Sequence, residues 1–332
     1  MASTPWPPSL LSKLCGRATS GFFSRNVFRT SSSWDPKLFE SGIDYIEQKT
    51  GRPVFGLMPF FKNIFIDSED SVVVQEDKRK LTPLTDNTVN IAVLRLPGIS
   101  NFTDLEILSR EPDIVLNFLF QPREMVKSYD LLILPGTKNV VEDARWLNRT
   151  GWKKTIREFA KQGGRCLGIC GGYQLLGEII KDPYGVESNW KKVKGLGLLP
   201  VETNLEQEKI VRKINGVCLL NEKRITGYEI HMGKTRNLRD VGSPYLRIHK
   251  TGGRQSWEDG WFVEKGKIAG TYVHGLLDSP SFRSDFLNGI RREKGLKERS
   301  VKQGRAARFH QYDLLADLFE ANCDVERIIK LI

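Results

Sequence analysis

The sequence predicts an α/β fold built around a parallel β-sheet. Two near-continuous apolar runs of strand length, VNIAVLRLP from residue 89 and YDLLILPG from residue 129, alternate with segments of helical pattern such as VVEDARWL and WKKTIREFAKQ. RCLGIC from residue 165 is a third run of this kind, and GGYQLLGEII begins the helix after it. Hydrophobic strands that alternate with helices are typical of a parallel sheet covered on both faces.

The segments on either side of this core have other patterns. DPKLFESGIDYIEQKTG is predicted to be a helix ending at Gly51, and RPVFGLMPF a short buried strand closing on Pro59. FIDSEDSVVVQEDKRKLTPLTDN is polar and ends in turn-forming residues, which indicates a linker and a domain boundary near residues 75–88. Further on, GLGLLPVE, RITGYEIHMG and DGWFVEKGKIAGTYVHG are predicted to be β-structure, and the tail YDLLADLFEANCDVERIIKLI one or two amphipathic helices.

Length and cysteine content limit the class of protein. A chain of 332 residues is long enough for one large or two modest domains, and no apolar run approaches the roughly 18 residues needed to cross a bilayer. The cysteines are scattered, without a CxxC pair, and odd in number: Cys15, Cys166, Cys170, Cys218 and Cys323. This distribution indicates neither a disulfide framework nor a structural zinc site, so we expect no metal, no membrane partner and a reducing compartment such as the cytoplasm.

The net charge of +11 is concentrated in two segments. Residues 1–34 contribute +4 and residues 291–308 contribute +6, which leaves only +1 for the rest of the chain. This pattern indicates a solvated segment and a separate leader, so we expect no nucleic-acid partner. The leader, residues 1–25, is rich in Ser, free of acid and dotted with Arg, as an organelle transit peptide is, although a misplaced start codon would produce the same composition.

The stretch RCLGICGGYQLLG holds the first candidate for chemistry. Gly168 and Gly172 lie two residues on either side of Cys170, at a strand-to-helix junction, which is the elbow pattern of an exposed nucleophile. The N–H of Gly171 is a candidate oxyanion donor, whereas Cys166 is expected to face the core. The alternative is a glycine-rich packing turn around a buried structural cysteine.

A cysteine nucleophile needs a base, and the chain has four histidines: His231, His249, His274 and His310. His274 ends a strand-like run in GTYVHGLLD and is the preferred candidate, with His231 in GYEIHMG as its competitor. Gly136 or Thr137, after another predicted strand, is the candidate second oxyanion donor. Gln174, one turn into the helix after the elbow, is a candidate for orienting a carboxamide substrate, unless it is merely a solvated helix position.

Five segments together resemble one family. LLILPGTKNVVEDARWL, CLGICGGYQLLG, GLGLLPVET, GYEIHMGKT and GTYVHGLLD are similar, in this order, to the glutamine amidotransferase domain of cobyric acid synthases. The resemblance runs from about residue 89 to residue 282 and extends through NFTDLEILSREPD near the front and YDLLADLF near the end. It implies a parallel-sheet, flavodoxin-like, class I glutamine amidotransferase domain, preceded by a remnant of an α/β ATP-binding domain.

The resemblance also implies the roles of individual residues. Cys170 would attack the side-chain amide of glutamine, and His274 would protonate the departing ammonia and then activate water. Ordinary members of the wider superfamily place a Glu two residues after this His, a position that Leu276 occupies here. Glu229 is the candidate substitute for the orienting acid.

The released ammonia would be used at a second site, where ATP activates peripheral carboxylates of adenosylcobyrinic acid a,c-diamide, a corrinoid, on the way to cobalamin. Only residues 26–75 resemble the ATP-binding domain, and they match its last part, so ATP and Mg²⁺ are expected only with a complete synthetase domain. GYEIHMGKT resembles a phosphate-binding loop, but five residues instead of four separate Gly227 from Gly233. The expected organisation is a leader, this remnant, a linker at 76–88, the amidotransferase domain at 89–282 and a helical extension at 283–332.

Two other interpretations stay open. The chain would be a stand-alone glutaminase subunit that partners a separate ATP-dependent ligase, or a non-catalytic remnant kept for a protein or corrinoid partner. The basic segment at 291–308, with Arg291 and Arg292, is a candidate for attracting the polycarboxylate substrate.

Overall fold

The computed structural model describes residues 27–29, 40–61, 64, 81–101, 103–301 and 305–330. The predicted leader lies outside the described residues, as do residues 76–80 of the predicted linker. The chain divides into two compact units, one of Met1–Ile66 with Ala306–Ile332 and one of Asp67–Arg305. We call them unit 1 and unit 2.

In chain order, the described strands are β1 (Val27–Arg29), β2 (Gly56–Met58), β3 (Val89–Leu94), β4 (Ile114–Leu119), β5 (Leu131–Leu134), β6 (Arg165–Ile169), β7 (Ile179–Lys181), β8 (Lys192–Lys194), β9 (Val201–Cys218), β10 (Arg224–Asn237), β11 (Leu246–Lys250), β12 (Ser256–Asp259), β13 (Trp261–Val263), β14 (Ile268–Thr271) and β15 (Val273–His274). The described α-helices are α1 (Glu40–Thr50), α2 (Thr103–Ser109), α3 (Val140–Arg149), α4 (Trp152–Lys161), α5 (Gly171–Leu176), α6 (Pro280–Glu293), α7 (Arg305–Asn322) and α8 (Val325–Ile329).

Unit 1 contains α1, the parallel pair β1 and β2, and the helices α7 and α8. The predicted helix end at Gly51 is confirmed, because α1 stops at Thr50 and Gly51 has a positive φ of 62° that favours glycine. The predicted tail helices are also confirmed as α7 and α8. Apolar side chains join these elements in a small core: Phe55, Met58, Cys323 and Ile328.

Unit 2 is built on a six-stranded sheet with the order β13-β14-β6-β5-β3-β4. All neighbours in it are parallel except the edge strand β13, which confirms the predicted α/β fold. Every residue of β3 and β5 is buried, which explains why these strands are apolar without alternation. Because the strands are parallel, the turns after β3, β5 and β6 lie along one edge of the sheet.

A second sheet in unit 2 contains the segments predicted to be later β-structure. Its main path is β12-β11-β9-β10-β15, and β7 and β8 join it beside β9. β10 pairs with the two-residue strand β15, with Tyr228 opposite His274. β15, which ends at His274, follows β14 in the chain, and β14 pairs with β6, so His274 lies near the turn after β6. Among the described residues, no helix is long and apolar enough to span a membrane.

The structure corrects one expectation for the basic segment at 291–308. Arg291 is 0% exposed, and its Nε and Nη2 atoms donate to the two carboxylate oxygens of Asp113 at 2.9 and 2.8 Å. Such a guanidinium is already neutralised and cannot attract a substrate from solution. Arg292 is half-exposed and pairs with Glu298 at 3.1 Å. Arg291 and Arg292 are therefore engaged in ion pairs within the fold, and the expectation for Arg291 was wrong.

This buried pair leads to a stability prediction. We expect Arg291→Met to lower the free energy of unfolding by about 3 kcal/mol, since the largely buried carboxylate of Asp113 would lose its bidentate partner. Arg299, 3.4 Å from Asp113, offsets part of the loss. Arg292→Met, at an exposed pair, is the control and should change stability by less than about 0.5 kcal/mol. Urea denaturation measures both, and equal effects of the two substitutions would contradict the assignment.

Candidate active site

Cys170 lies in a strained turn between β6 and α5. Its φ of 53° and ψ of −109° are unusual for a residue with a side chain. The two flanking glycines are needed there, because a Cβ on Gly172 would collide with the carbonyl oxygen of Leu134, and one on Gly168 would lie 2.6 Å from the carbonyl oxygen of Gly172. The glycine spacing therefore presses α5 against the sheet and raises Cys170 at its carboxyl edge.

The two thiols of this stretch have different surroundings. Cys170 is 8% exposed, and its Sγ donates to the carbonyl oxygen of Ile230 on β10 at 3.5 Å. Cys166 is buried within β6, where burial and the nearby charge of Glu264 raise the pKa of its thiol to about 12. Cys166 is therefore an inert core residue at neutral pH, as expected.

His274 ends β15 and is completely buried. Its ring stacks on Tyr228, with 5.1 Å between the ring centroids. Its Nδ1 lies 2.6 Å from Oδ2 of Asp104, and since a carboxylate only accepts, Nδ1 carries the proton. Nε2 is buried and has no regular hydrogen-bond partner among the described residues, although the thiol of Cys170 lies near enough to interact with the ring electrostatically.

The imidazole of His274 has a strongly shifted pKa. Burial alone would lower this pKa, but the charge and hydrogen bond of Asp104, with a smaller contribution from Cys170, raise it to about 10. His274 is therefore protonated at neutral pH and lies beside a thiol. This arrangement places a proton donor for a leaving group beside a candidate nucleophile.

Asp104 is the residue at this site that the sequence did not predict. It is 6% exposed, lies in the first turn of α2, and belongs to the segment NFTD, which follows β3 at the carboxyl edge of the sheet. The signal available in the sequence was a carboxylate shortly after a buried parallel strand, because the carboxyl ends of such strands meet at one edge.

Glu229, the candidate orienting acid, does not contact His274. Its carboxylate accepts from Nε of Arg212 at 2.5 Å and faces Nε2 of His231 at 3.6 Å. Successive residues of a strand point to opposite faces, so Tyr228 takes the side of His274 and Glu229 takes the other. The expectation for Glu229 was wrong for this reason.

The other three histidines lie on other elements: β10, β11 and α7. Nδ1 of His231 bonds to the carbonyl oxygen of Gly233 at 2.9 Å, and its ring stacks on Tyr272 with 3.8 Å between centroids. His249 lies on β11, and His310 belongs to α7 of unit 1. Of the two candidate bases, His274 interacts with the thiol of Cys170, whereas His231 contacts Glu229 and Tyr272.

The predicted oxyanion donors also lie beside this pair. A Cβ added to Gly136 would be 3.3 Å from Cε1 of His274, so the backbone after β5 passes directly along the ring. A Cβ added to Gly171 would be 3.0 Å from the backbone nitrogen of Thr137. The backbone of 136–137 and the elbow are thus in contact.

Gln174 is buried, so it is not a solvated helix position. Its Nε2 donates to the hydroxyl of Tyr272 at 3.1 Å, and the Tyr272 hydroxyl bonds to that of Thr235 at 2.6 Å. This network fixes the amide of Gln174 one turn after Cys170.

GYEIHMGKT, the segment with the spacing close to that of a phosphate-binding loop, lies within β10 and is extended, so it does not wrap around a phosphate. The described residues contain no cluster of three or more His, Cys, Asp and Glu that could hold a metal ion.

The sequence of this chain is similar to a known family of domains and to several known proteins. Residues 90–282 match the family model of the CobB/CobQ-like glutamine amidotransferase domain. The chain is 36% identical over 309 residues to the cobyric acid synthase of Syntrophobacter fumaroxidans, covering 90% of this chain and 60% of that protein. It is 40% identical over 299 residues to the cobyric acid synthase of Chlorobium phaeobacteroides, covering 90% of this chain and 58% of that protein.

Among solved structures, a chain of PurLQS from Thermotoga maritima aligns with 61% of this chain and 99% of its own length, at 17% identity and a TM-score of 0.46. The chain spans about 60% of the length of the curated relatives that it matches.

Proposed function

Because the chain belongs to the family of CobB/CobQ-like glutamine amidotransferase domains, we propose that it hydrolyses glutamine and supplies the ammonia for amidation of a corrinoid. The substrate of that amidation would be adenosylcobyrinic acid a,c-diamide, whose peripheral carboxylates become amides in cobalamin biosynthesis. The observation that carries the proposal is the elbow thiol of Cys170 beside the protonated imidazole of His274.

In the first half of the reaction, the thiolate of Cys170 attacks the side-chain amide carbon of glutamine. The carbonyl oxygen becomes an oxyanion, which N–H groups at Gly171 and at Gly136 or Thr137 stabilise. His274 donates its proton to the amide nitrogen, the C–N bond breaks, and ammonia leaves behind a thioester on Cys170.

In the second half, His274 is neutral and acts as a base. It takes a proton from water, the hydroxide attacks the thioester, and the C–S bond breaks to release glutamate and regenerate the thiolate with its imidazolium. Gln174, fixed by Tyr272, would orient the substrate in both halves. The pKa near 10 supports this assignment, because the proton needed by the leaving ammonia is already on His274 at neutral pH.

The amidation half needs ATP and Mg²⁺. Among the described residues, the segment nearest to a phosphate-binding pattern is the extended strand β10, and there is no group of three or more His, Cys, Asp and Glu that could hold a metal ion. In our proposal the ATP chemistry belongs to a complete synthetase domain or, alternatively, to a separate ligase subunit that receives ammonia from this chain.

Glutamine turnover tests the proposal directly. Purified protein given L-glutamine should release glutamate and ammonia in equal amounts, and a glutamine-shaped diazoketone should stop turnover by alkylating Cys170, which peptide mass spectrometry would locate. D-Glutamine is the matched control substrate and should not be hydrolysed. No glutamate above the level of a heat-denatured sample, together with no labelling of Cys170, would instead support the non-catalytic interpretation.

A second arm of this experiment separates the two arrangements for ATP. The protein receives ATP, Mg²⁺, glutamine and the diamide corrinoid, first alone and then with a separately produced synthetase domain. Corrinoid amides formed only in the second mixture would support a partner chain, and amides formed in the first would place the ATP chemistry on this chain.

A further inference from the structure

We propose that Asp104 is the positioning residue for His274, taking the place of the acid that Leu276 replaces. This inference rests on the proposed glutaminase reaction, and it assigns a function to a residue 170 positions away from the histidine in the chain. Its consequence is that the site works as a cysteine, a histidine and an aspartate supplied by three separate elements: the β6–α5 turn, β15 and α2.

Both oxygens of Asp104 are engaged at the histidine. Oδ2 accepts from Nδ1 of His274 at 2.6 Å, and Oδ1 accepts from the backbone N–H of Gly275 at 2.8 Å. Two bonds to adjacent residues fix the plane of the carboxylate relative to the imidazole ring. Leu276, by contrast, is buried and apolar, so the position two residues after the histidine offers no acceptor.

The segment that carries Asp104 is tied to the candidate oxyanion strand end. The N–H of Ser100 donates to the carbonyl oxygen of Gly136 at 2.9 Å, and the N–H of Lys138 donates to that of Gly98 at 2.8 Å. The backbone N–H of Asp104 then donates to the carbonyl oxygen of Asn101, which has a positive φ of 51°. The turn between β3 and α2 therefore holds the carboxylate at a set distance from the backbone that would stabilise the oxyanion.

The charge of Asp104 matters as much as its position. A carboxylate on Nδ1 holds the proton there and directs Nε2 toward Cys170, whereas an asparagine amide would be able to donate to Nδ1 and stabilise the wrong tautomer. The other titratable groups near His274 are Cys170, the stacked Tyr228, and Asp278, whose Oδ2 is 3.5 Å from the position of a Cβ on Gly275. The group that bonds to the ring nitrogen Nδ1 is Asp104.

Asp104→Asn, Asp104→Ala and Asp104→Glu test the proposal with a readout that needs no turnover. In the wild type, NMR of the His274 ring should show a titration midpoint near 10, and in Asp104→Asn the midpoint should fall well below that value, since burial is then opposed only by the smaller contribution of Cys170. Alkylation of Cys170 by iodoacetamide at pH 7 should slow at least about tenfold in Asp104→Asn and Asp104→Ala. Asp104→Glu, which keeps the charge, should restore part of both signals.

Glutamine kinetics provide the second readout. We expect Asp104→Asn to lower kcat by about 10²- to 10³-fold with KM within about threefold, since the residue acts on the chemical step through His274. Glu229→Gln, which removes a buried carboxylate that faces His231, is the matched control for the His274 titration and should leave it unchanged.

Two outcomes would overturn the proposal: a His274 titration in Asp104→Asn that matches the wild type, or an Asp104→Glu variant that folds and is as impaired as Asp104→Ala in both ring titration and alkylation. Should the wild type fail to hydrolyse glutamine while the ring titration still depends on Asp104, the proposed function fails and the positioning contact stands.

Discussion

Cys170→Ala is expected to reduce glutamine hydrolysis to background, a loss of about 10⁴- to 10⁶-fold in kcat. The reason is that no thioester can form without the thiol, and His274 would have only water to activate against an amide, which is a much poorer electrophile than a thioester. Coupled detection of glutamate over several hours measures the residual rate. The same variant should bind glutamine nearly as well as the wild type, because the substitution removes the nucleophile and leaves Gln174 in place.

Cys166→Ala is the control for this prediction. Cys166 lies on β6, four residues before Cys170, but its thiol is buried and its pKa is raised to about 12. Removing its thiol should change kcat by less than about threefold, and any loss of stability should be that of a small buried side chain, about 1 kcal/mol. A Cys170→Ala variant that hydrolyses glutamine at the rate of Cys166→Ala would refute the assignment of the nucleophile.

The sheet and the elbow could be predicted from sequence because each depends on a local pattern. β3 and β5 are buried along their whole length, and that burial produces the unbroken apolar runs by which they were recognised. The elbow depends on glycines at fixed spacing around Cys170, since Cβ atoms there would collide with β5 and α5. Both signals lie within about ten residues of sequence.

Asp104 could not be predicted in the same way, because its partner is 170 positions distant. Its contact with His274 depends on the order of strands in one sheet and on the pairing of β15 with β10 in the other. In the sequence alone, an aspartate early in a helix has a sufficient explanation as a residue that favours the helix N-terminus. Glu229 lies within GYEIHMG, and strand alternation, which depends on register, directs its carboxylate toward His231.

Arg291 illustrates the same limit for charge. Eight Lys and Arg residues between 291 and 308 form a run that is usually a solvated surface. α6, however, packs its inner face against the rest of unit 2, and Arg283 and Arg291 on that face are buried in pairs with Glu111 and Asp113. The acidic partners precede these arginines by more than 170 residues. The local composition therefore shows that the segment is positively charged, but it does not show that these guanidinium groups are buried.

His274→Gln is expected to lower kcat for glutamine hydrolysis by about 10³- to 10⁴-fold, since it removes both the acid for ammonia and the base for water. In the wild type, the acid step requires the imidazolium, so activity should persist above neutral pH and decline as pH approaches the pKa of about 10. The residual activity of His274→Gln should lack this decline. His249→Gln, on β11, is the control and should keep the wild-type profile, whereas a profile lost in His231→Gln and kept in His274→Gln would identify His231 as the base.

The same pKa sets how stability depends on pH. The folded protein holds the proton on His274 more tightly than the unfolded chain does, so the stabilisation by the charged pair with Asp104 is fully present below pH 6.5 and is lost as pH rises toward 10. The difference in unfolding free energy between the wild type and His274→Gln should therefore shrink steadily across this window, which urea denaturation at pH 6.5, 8 and 9.5 measures. A difference that stays constant, or grows with pH, would mean that His274 is neutral in the folded protein and that the acid for the departing ammonia comes from elsewhere.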